Sequence, residues 1–180
     1  MTTSDALSQT APTPTAEPRP DRPHLPEGYG VPATTDGMLP WAEALARVER
    51  ATSYWVSTVD AKGRPQSRPI WGGVVNGTLY LEGSAETRWA RNMAANPHVS
   101  VHLESAREVV ILEGTVVRMV PDAAVAMRLA ESMRAKYADQ DYQPDADSWD
   151  EGGLCVIQPR VAYAWTKFPS DVTRYHFDGD

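Results

Sequence analysis

Cysteine is almost missing from this chain. Its one thiol, Cys155, excludes an internal disulfide and cannot build a multi-cysteine metal site, and that scarcity suits a reducing cytoplasm. Basic residues are outnumbered, 17 Lys and Arg against 24 Asp and Glu. The resulting net charge of −7 excludes the broad basic face of a general nucleic-acid binder. No uninterrupted apolar run approaches the ~20 residues that span a bilayer. The opening Met1-Thr-Thr-Ser-Asp-Ala-Leu-Ser-Gln-Thr10 lacks the basic and apolar segments of a signal peptide, so a soluble, cytoplasmic protein with no membrane partner is expected. There is no Walker or dinucleotide glycine fingerprint, no Gly-x-Ser-x-Gly elbow and no internal repeat. At 180 residues the chain suits one domain with a full core.

What is present is concentrated between Ser53 and Glu104. From Lys62 to Arg91, the basic residues Lys62, Arg64, Arg68, Arg88 and Arg91 stand against only Glu82 and Glu86, a local positive field within an acidic protein. Such a field suits a small anionic ligand; the plainer alternative is a set of ordinary surface arginines. Ahead of it, residues 1–38 are rich in proline and poor in large apolar side chains, and are expected to form a disordered arm. Residues 39–180 would then be the folded domain.

Helical spacing of Trp41, Leu45 and Val48 predicts a helix from about Leu39 to Arg50. From Ser53 the period becomes two: Tyr54, Val56 and Thr58 share one face, Trp55, Ser57 and Val59 the other. Arg64–Val75 continues as a strand with a bend at Gly72-Gly73, and Asn76-Gly77 marks a tight hairpin into the strand through Leu81. A helix over Ala85–Ala95 stops before Pro97. His98–Glu104 and Glu108–Met119 form an antiparallel pair, and Pro121-Asp122 opens a helix stacking Val125, Leu129, Met133 and Tyr137 on one face. Beyond a solvated acidic loop over residues 139–151, Leu154–Thr166 and Asp171–Phe177 complete at least six hairpin-connected strands. The fold class is mainly β: an antiparallel β-barrel with peripheral helices.

Two constellations carry chemistry. Ser84 can cap the helix that follows, Thr87 offers a hydroxyl, and Arg88 and Arg91 lie one turn apart, so together they suit an oxyanion. The alternative is a capped surface helix with solvated arginines. Arg68-Pro69-Ile70-Trp71 comes next: Pro69 lacks a donor, which leaves the strand open to the edge of a flat heterocycle with Ile70 or Trp71 as an apolar wall. The alternative there is an edge strand whose Trp packs in the core. His98 and His102 lie about 13 Å apart if extended, too far for one metal ion. The acidic loop lacks the glycine of a calcium loop, and Cys155, among apolar neighbours, suits inert packing.

Read in order, several short motifs carry a family resemblance. They are Gly63-Arg-Pro65 with Arg68-Pro69, Leu79-Tyr-Leu81, Thr87-Arg-Trp-Ala-Arg-Asn-Met-Ala-Ala-Asn-Pro97, Val109-Val-Ile-Leu-Glu-Gly114, Pro159-Arg160, Trp165 and Arg174-Tyr-His176. From Trp41 to Phe177 the chain resembles the split β-barrel family of pyridoxamine 5′-phosphate oxidase and its actinobacterial flavin and deazaflavin oxidoreductase relatives. The resemblance implies an FMN-binding type split barrel, a homodimer, and a flavin-type ring held between subunits. Thr87 and Arg88 would stand at the cofactor phosphate and the backbone of Arg68–Trp71 along the ring. Trp165 would flank the ring from the partner subunit, and Arg174 and His176 would lie near the substrate. Trp89 departs from the pattern, standing where many members place a second cation.

The expected function is therefore hydride transfer from reduced deazaflavin (coenzyme F-420) to a small unsaturated molecule, with FMN as the rival cofactor. A catalytic side chain is not identified, His176 being the one named candidate for proton delivery. Two other classes stay open: a cofactor-binding protein without turnover, and a heme-binding relative using His98, His102 or His176 as axial ligand.

Overall fold

The computed structural model describes residues 17–177. Nine strands are present among them: β1 Arg19–Asp21, β2 Tyr54–Val59, β3 Pro65–Ile70, β4 Gly72–Val75, β5 Thr78–Glu82, β6 His98–His102, β7 Val109–Met119, β8 Leu154–Trp165 and β9 Thr173–His176. Three α-helices accompany them: α1 Trp41–Arg50, α2 Arg88–Ala95 and α3 Ala123–Lys136. All pairings are antiparallel, and the ladders run β1-β9-β8-β7-β6-β2-β3, with β4–β5 attached to β8. This is the antiparallel split barrel with flanking helices that the sequence implied. The ladders themselves do not close. The covalent chain at Ile70–Gly72 joins the β2–β3 ladder to the β4–β5 ladder.

Local chemistry explains the elements. Along β2 the side chains alternate buried and half-buried, with Tyr54, Val56 and Thr58 inward. Asn76 and Gly77 take φ of 53° and 76°, the two positive values that a two-residue hairpin needs to match strand twist. The single strand expected over Arg64–Val75 is divided at Trp71, because β4 turns to pair with β5. At Gly72 that pairing is so close that an added Cβ would sit 2.4 Å from the Tyr80 carbonyl oxygen.

Two apolar clusters result. The first fills the barrel with Tyr54, Val56, Leu81, Val101, Val110 and Tyr175, sealed by Val48 of α1 and Trp89 and Met93 of α2. In the second, α3 lies on β4, β5 and β8. Asp122 caps the helix by accepting from the Val125 N–H at 2.8 Å, and Val125, Leu129, Met133 and Tyr137 are all buried as the four-residue spacing required. The loop expected to be solvated is packed here: Trp149 is 1 % exposed, Pro144 is buried, and Asp145 caps a 3-10 turn over Ala146–Trp149. Acidic side chains cover its outside while two aromatics face the core.

Lys136 closes α3 against the barrel. Its Nζ donates to the Tyr54 hydroxyl at 2.9 Å and to the Gly72 carbonyl at 3.3 Å, and burial lowers its pKa to about 8 against the pull of Glu49.

The proline-rich segment also departs from expectation where it is described; residues 1–16 lie outside the described residues. From Arg19 to Asp21 it pairs with β9, setting Asp21 opposite Arg174. The Asp21 carboxylate accepts from Arg174 Nε at 2.8 Å and Nη2 at 2.7 Å, and lies 3.1 Å from His176 Nε2. Arg22 donates to the carbonyls of Thr34, Asp36 and Val172. Ion pairs and main-chain bonds therefore hold what apolar burial cannot.

Arg174 keeps the Asp21 carboxyl below its ordinary 3.8, so the contribution is complete above that value and is lost as pH falls through the lowered pKa. Asp21→Asn is expected to cost about 1–2 kcal/mol at neutral pH, with the gap to wild type closing in acid, as measured by urea unfolding across pH. For Lys136 the sign is opposite. Between about 8 and 10.5 the unfolded chain binds the extra proton, so wild type should gain stability over Lys136→Met as pH rises through that window in the same assay.

Candidate functional site

Helix α2 begins three residues later than expected. Thr87, not Ser84, is its N-cap: Thr87 Oγ1 accepts from the Ala90 N–H at 3.3 Å and donates to the Ser84 carbonyl at 2.8 Å. Ser84 instead organises the preceding loop, its Oγ accepting from the Glu86 N–H at 3.2 Å. The Arg88 and Trp89 N–H groups, first in the helix, have no intrahelical acceptor. Trp89 itself is buried with its ring against Gly83, so it belongs to the core.

Arg88 is half exposed, at 52 % of its side chain, and reaches Asp60 Oδ2 at 3.4 Å. Asp60 is held more closely by Arg64, at 2.7 Å, whose guanidinium lowers that carboxyl to about 2. Arg91 folds back onto the Glu86 carbonyl. On the inner side of the helix, Asn92 Nδ2 donates to Thr58 Oγ1 at 3.0 Å and so ties α2 to β2. Ser84, Thr87, Arg88 and Arg91 are thus brought together, with both guanidiniums at the surface.

Among the described residues strand β3 pairs only with β2, so its other edge is free of them. The Asp60 N–H donates to the Arg64 carbonyl at 3.0 Å, which fixes the parity of the ladder. Gln66, Arg68 and Ile70 then turn their peptide groups to β2, while Pro65, Ser67 and Pro69 turn theirs outward. Pro69 therefore removes no ladder donor, contrary to the sequence expectation. The two prolines strip the free edge of donors and leave the Ser67 N–H among outward carbonyls. Arg68 Nη1 covers the Ser67 carbonyl at 2.8 Å, and Ile70 is buried in the barrel.

Trp71 follows at the bend, 38 % exposed. One face of its ring lies on Tyr137 (centroids 4.6 Å apart, planes at 15°), and Tyr142 meets it edge-on at 5.4 Å. Its carbonyl accepts from the Glu82 N–H at 3.0 Å, which places Trp71 beside the strand end leading into the Ser84–Thr87 loop. The Tyr137 hydroxyl accepts from the Gly72 N–H at 2.9 Å and donates to the Gly72 carbonyl at 3.0 Å. Tyr142 donates to the Glu82 carboxylate. Glu82 is pushed up by burial, against the Tyr142 hydroxyl and the Trp149 indole. Sequence reasoning missed Glu82, Lys136, Tyr137 and Tyr142 as neighbours of the site. The available signal was large aromatics inside an acidic loop, which a solvated loop has no reason to carry.

The remaining expected residues lie apart from this group. Trp165 ends β8 half-buried, its carbonyl accepting from Arg47 at 3.1 Å and its ring meeting Phe168 at 5.8 Å. Arg174 and His176 are engaged by Asp21. His102 stacks on Trp55, with ring centroids 6.3 Å apart, whereas His98 is exposed at the other end of β6.

Known proteins agree with this architecture. The profile described as pyridoxamine 5′-phosphate oxidase matches residues 41–167. No curated protein sequence matches. Among solved structures, a conserved hypothetical protein from Mycobacterium tuberculosis superposes with a TM-score of 0.61 at 22 % identity, over 76 % of this chain and 89 % of that one. A putative pyridoxamine 5′-phosphate oxidase from Listeria innocua gives 0.53 at 19 % identity, over 70 % and 98 %. A heme binding protein from Mycobacterium smegmatis gives 0.57 at 18 % identity, over 79 % of this chain but 58 % of its own. At these identities the likeness concerns the fold. The family profile spans most of the sequence, from α1 to the end of β8, so the chain belongs to the pyridoxamine 5′-phosphate oxidase family.

Proposed function

We propose that the protein is a homodimeric oxidoreductase holding a phosphorylated flavin-type cofactor, deazaflavin (coenzyme F-420) in preference to FMN, for hydride transfer to a small unsaturated substrate. The observation that supports this most is the joining of an anion-suited helix start to an exposed aromatic plane. The Glu82 N–H to Trp71 carbonyl bond puts Trp71 at the head of the loop that ends in Thr87, Arg88 and Arg91.

The donor set fits a phosphate. Arg88 and Arg91 are exposed, the Arg88 and Trp89 N–H groups lack intrahelical acceptors, and Arg88 is held only at 3.4 Å by Asp60. Thr87 would first have to release the Ser84 carbonyl, so its main part is to cap and orient the helix. The outward Ser67 N–H and the flanking carbonyls offer hydrogen bonds to the polar edge of a ring, and Trp71 offers it a face. When bound, such a cofactor supplies the hydride; the protein supplies position and charge. The preference for deazaflavin follows from the sequence resemblance. Trp165 would close the groove from the partner subunit. Arg174 and His176, already engaged by Asp21, favour a substrate without a phosphate at that end.

Titration of the purified protein with FMN, coenzyme F-420 and heme separates the readings. Saturable perturbation of the FMN or deazaflavin spectrum is expected. A Soret shift on heme alone would replace this reading with the heme-binding one. Tight cofactor binding without reduction of any unsaturated acceptor would leave a carrier. Arg88→Ala should weaken cofactor binding about tenfold, the loss of one partly exposed charged contact. Sedimentation equilibrium should return about twice the 19.8 kDa chain mass, and a monomer would remove the shared groove.

A further inference from the structure

The cofactor contacts proposed above do not use the cluster next to Trp71. Glu82 ends β5 half-buried, and its carboxylate accepts from the Tyr142 hydroxyl. Tyr142 in turn stands edge-on to both Trp71, at 5.4 Å, and Tyr137, at 6.2 Å. The Trp149 indole, 1 % exposed, acts on the same carboxyl and opposes the rise that burial causes in it. An acid, a phenol and a buried indole therefore meet next to Trp71, which keeps an exposed face.

Among the described residues, the groups acting on Glu82 include no cation. Tyr142 and Trp149 come from the loop after α3, and Tyr137 from the end of that helix. Lys136 is directed to the Tyr54 hydroxyl and the Gly72 carbonyl. Burial raises Glu82, and burial together with Glu82 raises Tyr142. The first shift favours the protonated carboxyl; the second reflects Tyr142 donating to Glu82 and keeps the phenol's own proton in place.

We propose that Glu82 and Tyr142 form a proton-donating pair at the Trp71 face, delivering the proton that accompanies hydride addition to the substrate. The proposal rests on the redox reading above. In that reaction the substrate's polarised double bond is reduced by two electrons and the cofactor is oxidised by two. As a C–H bond forms at one atom, the π pair moves to its neighbour. For this step the protonated Glu82 carboxyl donates to the Tyr142 oxygen, which turns the Tyr142 hydroxyl to the substrate; the neighbour takes the Tyr142 proton, Tyr142 takes that of Glu82, and the carboxylate left behind is reprotonated by water. His176, bound to Asp21, is not needed for this step.

The test uses Glu82→Gln and Tyr142→Phe in the full chain. In cofactor-free protein, the part of the tryptophan emission lost in Trp71→Phe should titrate with a midpoint above the ordinary carboxylate range. Glu82→Gln should abolish that titration; its persistence would overturn the assignment. With reduced cofactor bound and 2-cyclohexen-1-one as acceptor, both variants should keep cofactor affinity within about twofold. Both should slow single-turnover reduction about a hundredfold, with a changed solvent deuterium isotope effect. Wild-type rates in Glu82→Gln would overturn the proposal and leave the cofactor site standing. If wild type binds FMN or deazaflavin but leaves the enone untouched, the pair has no acceptor of this class and the proposal falls. If wild type binds neither cofactor, both readings fall together.

Discussion

One phenol holds the bend on which the rest of the molecule depends. By accepting from the Gly72 N–H and donating to its carbonyl, Tyr137 satisfies both peptide groups at the place where the chain leaves one ladder for another. Without that hydroxyl the Gly72 N–H would be stranded and its carbonyl left to Lys136 Nζ alone, a cost of about 1–3 kcal/mol. The same ring supports Trp71 by stacking, so a single side chain on α3 sets both the path of the sheet and the position of an exposed indole. The divided sheet follows from that bend: β3 keeps a free edge because β4 has turned away to β5.

That edge is a liability in an ordinary protein, since exposed peptide groups invite another strand. Here two prolines of one parity remove two outward donors and leave the Ser67 N–H between them, and Arg68 covers one outward carbonyl. Strand addition needs an alternation of donors and acceptors that the edge no longer has. A small heterocycle needs fewer and can use what remains. On the proposed reading, the residues that keep the sheet from extending are also those that leave its edge open to a ligand.

Much of this was legible in the sequence where the determining contacts are local. Alternation along Tyr54–Val59, the Asn76-Gly77 turn and the Val125–Tyr137 stripe are each decided by neighbours within a few residues, and each appears as expected. The failures share the opposite property. Asp21 is fixed by Arg174, 153 positions away, and no local pattern in a proline-rich stretch announces that bond. The loop over 139–151 was misjudged because its charge dominates its composition, although Tyr142 and Trp149 determine its path. Ser84 and Thr87 are both suitable caps, and only the tertiary fit of Trp89 against Gly83 decides between them.

The placement of charge follows one rule across these cases. Asp21 meets Arg174, and Asp60 meets Arg64, so neither carboxylate is left to repel an anion. Arg88 lies at the longer 3.4 Å from Asp60, already contested by Arg64, and is therefore the cation most easily drawn away by a better partner. Glu82 is the exception: it is half-buried against a phenol with no cation beside it among the described residues, and burial raises its carboxyl. On the proposed reading, a loosely held cation at one end and this raised carboxyl at the other polarise the site along its length. A ligand with an anionic tail and a reducible head would be oriented by that polarity before any side chain fitted its shape.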